Sequence, residues 1–144
     1  MIREIYNFSV IETKYGDSDF NDGSMKLIFD GKTTGKKISG DAIRRQFAID
    51  EYYLIIMYQD GAFEGPDYLS ATLIDKQFNQ IDEKFISWKG VDLTLEDAVP
   101  INDNEIRISF TNDASVVIQI CKIPFLPSKP FIWIRKWKRP NNKT

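Results

Sequence analysis

Residues 52–75 read YYLIIMYQDGAFEGPDYLSATLID, and the fold class turns on how this stretch is taken. It holds two apolar runs, 52–58 and 68–74, separated by a loop of Gly, Pro and acid. Seven consecutive apolar or aromatic residues, rich in Ile and Tyr, suit a strand covered on both faces. A buried helical turn gives the same run, but Pro66 and two glycines follow too soon for an ordinary helix. The second run puts Leu69, Ala71 and Leu73 on one face and Ser70 and Thr72 on the other, which reads as a strand with one wetter side. The pair is expected to be the central hairpin of a sheet. No catalytic signature accompanies it.

Working outward, residues 2–13 read as a first strand with Tyr6, Phe8 and Val10 on the buried face. An acidic, turn-rich loop follows (YGDSDFNDG, 15–23), then a second strand over 25–29 and a polar, Lys-rich connection over 30–37. Residues 41–49 fit either a short helix capped by Asp41 or a strand. The odd positions Ile43, Phe47 and Ile49 tip the choice to strand. Beyond the hairpin, strands are expected over 81–88 and 91–99. Residues 105–111 alternate most cleanly, with Ile106, Ile108 and Phe110 inward, and pair with 115–123 as a second hairpin across NDA. Pro124, Pro127 and Pro130 punctuate a linker before a last strand over 131–137. Eight or nine short strands with regular turns predict an all-β fold, an antiparallel sandwich or partly open barrel with at most one short helix. The chain reads as one domain over 1–144, its basic end 138–144 a solvated tail.

With 144 residues, ten Phe, six Tyr and three Trp, the chain can build a core without metal or disulfide staples. No run approaches the ~20 apolar residues of a membrane span. The first ten residues, MIREIYNFSV, lack a signal peptide's apolar centre, and Cys121 is the single cysteine; both point to the cytoplasm. There is no histidine, which removes His-based triads and zinc sites of the His type. Acid–base chemistry would fall to Asp, Glu, Lys or Tyr. The net charge of −2 is unevenly spread: residues 1–113 hold all 21 acids and balance at −9, whereas 114–144 hold seven basic residues and no acid. Such asymmetry points to two surfaces with different partners, or to segments that neutralise one another across the sheet.

Candidate motifs divide on spacing. GKTTGKK (31–37) has three residues between its glycines where a phosphate loop needs four, and Lys37 stands in place of the hydroxyl. Asp17, Asp19 and Asn21 match the start of a calcium loop, but Asp22 replaces the turn glycine and Ile28 the bidentate Glu, so no metal is expected. Asp60, Glu64 and Asp67 flank Phe63 and Tyr68 in the central loop. Clustered acids beside exposed aromatics suit a basic protein partner. The alternatives are a carboxylate pair for hydrolysis, or a Phe63 folded onto the core with acids that only solubilise the turn. Asp17, Asp19 and Asp22 form a second candidate acidic surface. Trp133, Trp137 and the bases Arg135, Lys136, Lys138 and Arg139 mix aromatic and cationic character. The acidic remainder would repel phosphate, so neither nucleic acid nor membrane is expected. Trp133 and Trp137 share strand parity, which places both on the core. Cys121, in an apolar run, reads as a small buried hydrophobe.

At Gly40, Gln46–Phe47, the apolar strand 53–58, the loop 60–64 with Phe before an acid, and the strand 69–74, the chain resembles small β-rich bacterial immunity proteins of contact-dependent or polymorphic toxin systems. The resemblance spans about a quarter of the chain. It implies a cytoplasmic inhibitor, monomer or weak dimer, that binds a cognate toxin domain and needs no cofactor or chemistry of its own. The competing expectations are a small-molecule-binding β domain and a carboxylate-based hydrolase.

Overall fold

The computed structural model describes residues 1–12, 24–60, 65–122 and 129–139, and of Lys136 the backbone only. The described residues form twelve strands: β1 (Ile2–Glu4), β2 (Phe8–Glu12), β3 (Ser24–Phe29), β4 (Lys32–Ser39), β5 (Ala42–Ile49), β6 (Tyr52–Gln59), β7 (Tyr68–Asp75), β8 (Gln80–Ile86), β9 (Leu95–Pro100), β10 (Glu105–Phe110), β11 (Ser115–Cys121) and β12 (Phe131–Lys138). They build three antiparallel sheets, ordered β1-β5-β6-β7-β8, β12-β11-β10-β9 and β2-β3-β4. The all-β expectation holds. No helix among the described residues is long and apolar enough to cross a membrane.

The five-stranded sheet is the middle layer, and β6 shows why. Leu54, Ile55, Ile56 and Met57 are each 0% exposed. Successive strand side chains point to opposite faces, so four in a row can be buried only if both faces are covered. Leu54 and Ile56 join Phe47, Leu69 and Leu73 in a core shared with Ile106, Ile108, Phe110 and Ile118 of the four-stranded sheet. Ile55 and Met57 join Phe8, Leu27 and Ile38 of the three-stranded sheet in a second core. Full burial of each such aliphatic side chain contributes about 1.5–3 kcal/mol. The expected hairpin is β6–β7, in register from Tyr52↔Asp75 to Gln59↔Tyr68. Ile55, Met57, Leu69, Leu73, Ile108, Phe110, Val117 and Ile120 are all buried.

The wetter side expected for β7 is dry. Ser70 and Thr72 are buried because the second core covers their face, where Ile74 also lies. Their hydroxyls are satisfied from neighbouring strands: Gln59 Nε2 donates to Ser70 Oγ at 2.8 Å, and Thr72 Oγ1 donates to Glu83 Oε2 at 3.4 Å. A buried hydroxyl with a partner costs little, so polarity did not mean exposure.

The first strand is in fact two, in different sheets. β1 pairs with β5, then residues 5–7 cross over and β2 joins β3. Tyr6, expected inward, lies on this crossing and is 82% exposed. The connection expected over 30–37 is mostly strand β4. Asp30 and Gly31 have φ of 50° and 78°, and two left-handed residues in succession make the tight turn that matches strand twist. β5 is the strand preferred over a helix, with a bulge between Ile43 and Arg45. The extra residue flips parity, so Ile43 packs on the second core while Phe47 and Ile49 pack on the first. Ahead of it, Gly40 has φ 129°, and a Cβ there would stand 2.7 Å from Met57 Cβ. Only glycine fits both constraints.

Residues 91–94 are not strand as expected: Val91 makes one bridge to Trp88, Leu93 is buried, and β9 starts at Leu95. The β10–β11 hairpin forms as expected, with Ile106 opposite Ile118. On β12 the pairing shifts between the Lys138 and Arg135 partners. Parity is again lost there: Trp137 turns in against Trp88, at 5.6 Å between rings, while Trp133 stands 54% exposed opposite Gln119. Cys121 is half-buried rather than buried, and its thiol is pushed up by burial.

Two side chains hold the sandwich together at its sides. Asp82 on β8 accepts the Ile132 N–H of β12 at 2.7 Å. Burial works against its charge, but that bond, Lys84 and the Glu83 N–H outweigh it and hold the carboxyl below its ordinary value. Arg45 on β5 pairs with Glu4 and reaches Asp97 at 3.2 Å and the Ala98 carbonyl of β9 at 3.0 Å.

Candidate functional site

The chemistry gathers where β6 ends and β7 begins. Main-chain register brings two other segments to this end: the start of β5, through Ala42↔Tyr58, and the turn 87–92 that follows β8, whose Ile86 pairs with Leu69. Asp41 extends the β5–β6 ladder past its last strand pair. Its N–H donates to the Tyr58 carbonyl at 2.8 Å, and its Oδ2 accepts the Asp60 N–H at 2.8 Å. Asp92 does the same for the other arm, its Oδ1 accepting the Asp67 N–H at 2.7 Å, while the Asp67 carbonyl accepts the Leu93 N–H at 3.0 Å. Carboxylates that accept main-chain N–H groups fix the loop ends.

Asp67 itself accepts the Tyr58 hydroxyl at 2.6 Å. The Tyr58 pKa is pushed up to about 12, first by that hydrogen bond, then by burial and by the charges of Asp67 and Asp60, with Arg44 opposing. The Arg44 guanidinium carbon lies 4.6 Å from the Tyr58 ring centroid, a cation–π contact. Tyr68 meets Phe85 edge-on at 5.9 Å, and Phe85 is 53% exposed. Beside them a surface depression of about 430 Å³ is lined by Asp60, Pro66, Tyr68, Trp88 and Lys89, among others.

Of the residues singled out from sequence, Asp60, Asp67 and Tyr68 are brought together here. Phe63 and Glu64 of the same loop lie outside the described residues, as do Asp17, Asp19 and Asp22 of the second acidic loop. Asp41, Arg44, Phe85, Trp88 and Asp92 were missed. Asp41 carried a signal, a capping-type residue after a glycine, but it caps a strand pair rather than a helix. Asp92 carried none, since its neighbour in space is 25 residues away.

The arrangement offers negative charge held in fixed directions next to apolar ring surface. Among the described residues no group of three Cys, Asp or Glu side chains could hold a metal ion. The basic end of the chain is partly neutralised within the fold. Arg135 makes a two-pronged contact with Glu105, at 2.8 and 2.6 Å, and Asn102 satisfies the other Glu105 oxygen at 2.6 Å. Comparison with protein-family models, curated proteins and solved structures found no match.

Proposed function

We propose that this chain is a non-enzymatic binding protein that captures a basic protein partner on the acidic, aromatic end of its central hairpin. The observation that carries the reading is that Asp67 and Asp60 act on Tyr58 while Asp41 and Asp92 hold the main chain of Asp60 and Asp67, next to an exposed Phe85 and the Tyr68–Trp88 depression. Anionic groups of one sign steer a cationic partner, and apolar rings among them supply contact area once it arrives. Two of the four carboxylates are engaged by main-chain N–H groups and a third by the Tyr58 hydroxyl. That is an arrangement for holding charge in place, and it favours recognition over proton transfer. The immunity-protein resemblance supplies the partner class: a cationic toxin domain, neutralised in the cytoplasm by a monomer or weak dimer.

The test is to co-express this protein with the product of the adjacent reading frame and to follow host growth and complex formation. Relief of growth arrest together with a co-purifying complex is the expected result. Absence of both overturns the toxin reading. Turnover of hydrolase substrates by the purified protein alone, lost on Glu64→Gln or Asp67→Asn, restores the carboxylate-enzyme class.

A further inference from the structure

Where the chain leaves β1 for β2, it vacates a strand position. β1 covers β5 only over Phe47–Ile49, and Ile5 adds one bond, its N–H donating to the Gln46 carbonyl at 2.9 Å. Residues 42–45 of β5 therefore have no strand on that side among the described residues. β2 faces the same gap with an edge that no strand among the described residues pairs. The Phe8 N–H donates to Gln46 Oε1 at 2.8 Å, and the Phe8 carbonyl accepts Gln46 Nε2 at 2.9 Å. One side-chain amide thus stands in for a partner strand. Backbone groups alternate sides along a strand, so Val10 and Glu12 point their N–H and C=O the same way as Phe8, away from β3. On the β3 side, Asn7 accepts the Asp30 N–H at 2.8 Å, as that alternation requires. The gap is a notch of about 360 Å³ whose lining includes Ile5, Phe8, Val10, Ile43, Arg44 and Gln46.

The edges at β4, β9 and β8 are guarded. β4 carries Lys32, Lys36 and Lys37, β9 is tied at Ala98 by Arg45, and β8 meets β12 through Asp82. Edge lysines and covered edges are how sheets avoid unwanted pairing. We propose that the β2–β5 notch is a strand-addition site, taking an extended segment of a protein partner with apolar side chains at alternate positions. The open donors and acceptors of β2 select an extended backbone, and Ile5, Phe8, Val10 and Ile43 offer apolar contact to every second side chain. This site lies on a different edge from the acidic hairpin end and does not depend on its function.

The test uses the ¹⁵N-labelled full chain and two synthetic hexapeptides of alternating valine and threonine, one unmodified and one N-methylated at alternate residues. Expected are saturable amide shifts and slowed hydrogen exchange at Val10, Glu12 and residues 43–45 with the first. The N-methylated peptide, deprived of donors, should bind at least about tenfold more weakly. Val10→Pro removes a donor that β3 does not use, and should weaken binding similarly with an unchanged circular-dichroism spectrum. Should that variant not fold, Glu12→Pro at the strand end serves the same purpose. No binding, shifts confined to another edge, or equal affinity of both peptides overturns the proposal. So does concentration-dependent protection of Val10 without peptide, which would make a second copy of this chain the occupant.

Discussion

The body of the β6–β7 hairpin and its Asp60–Asp67 end differ in what surrounds them, although the same two strands make both. In the body, Leu54, Ile56, Leu69 and Leu73 meet one core and Ile55 and Met57 the other, and even Ser70 is buried with its hydroxyl satisfied. At the end, the carboxylates of Asp41 and Asp92 hold main chain while Asp67 holds a tyrosine. On the proposed reading, stability resides in the body and recognition at the end. Substitutions in the two regions should separate these properties.

The largest effect is expected in the body. Leu54→Ala opens a cavity between two sheets and should cost about 2–5 kcal/mol in denaturant unfolding. Gln59→Leu keeps the volume but leaves the Ser70 hydroxyl without its donor, for a loss of about 1–3 kcal/mol. If Gln59→Leu proves neutral, the polar side of the body contributes no more than the end does, and the contrast fails there.

Smaller effects are expected at the end. Tyr58→Phe removes the bond to Asp67 and should cost about 1 kcal/mol. Ultraviolet titration of the phenols should find one tyrosine at about 12, lost in that variant. The folded pKa is raised above the ordinary 10.0, so the stabilisation is complete below pH 10 and fades as pH rises towards 12. Thermal unfolding across that window should show the decline in wild type and a weaker one in Tyr58→Phe. The smallest stability change belongs to Asp60→Asn, within about 0.5 kcal/mol, because substitutions at exposed positions change little. Asp67 needs asparagine rather than alanine, since alanine would strand the Tyr58 hydroxyl.

Much of the body was legible in sequence and little of the end. Seven apolar residues in succession announce a strand buried on both faces, and Ile106–Ile108–Phe110 announce one buried on a single face. Polarity at Ser70 and Thr72 misled because a hydroxyl can be dry when a neighbouring strand supplies its partner. Parity failed at Ile43 and Trp133, since one bulge residue reverses every side chain beyond it and leaves no mark in composition. At the end, Asp60, Asp67 and Tyr68 were found because they share a loop. Asp41, Arg44 and Asp92 were not, because strand order brings them there from other parts of the chain.

The central claim, that the acidic end of the hairpin is the surface a cationic partner meets, is tested most directly by association kinetics. Wild type and the Asp60→Asn, Glu64→Gln, Asp67→Asn variant would be mixed with the co-purified partner by stopped flow over a range of salt. The account predicts association about tenfold slower for the variant at low salt, a flatter salt dependence, and rates that converge once salt screens the charges. Equal rates and equal salt dependence, with both proteins folded, would contradict it.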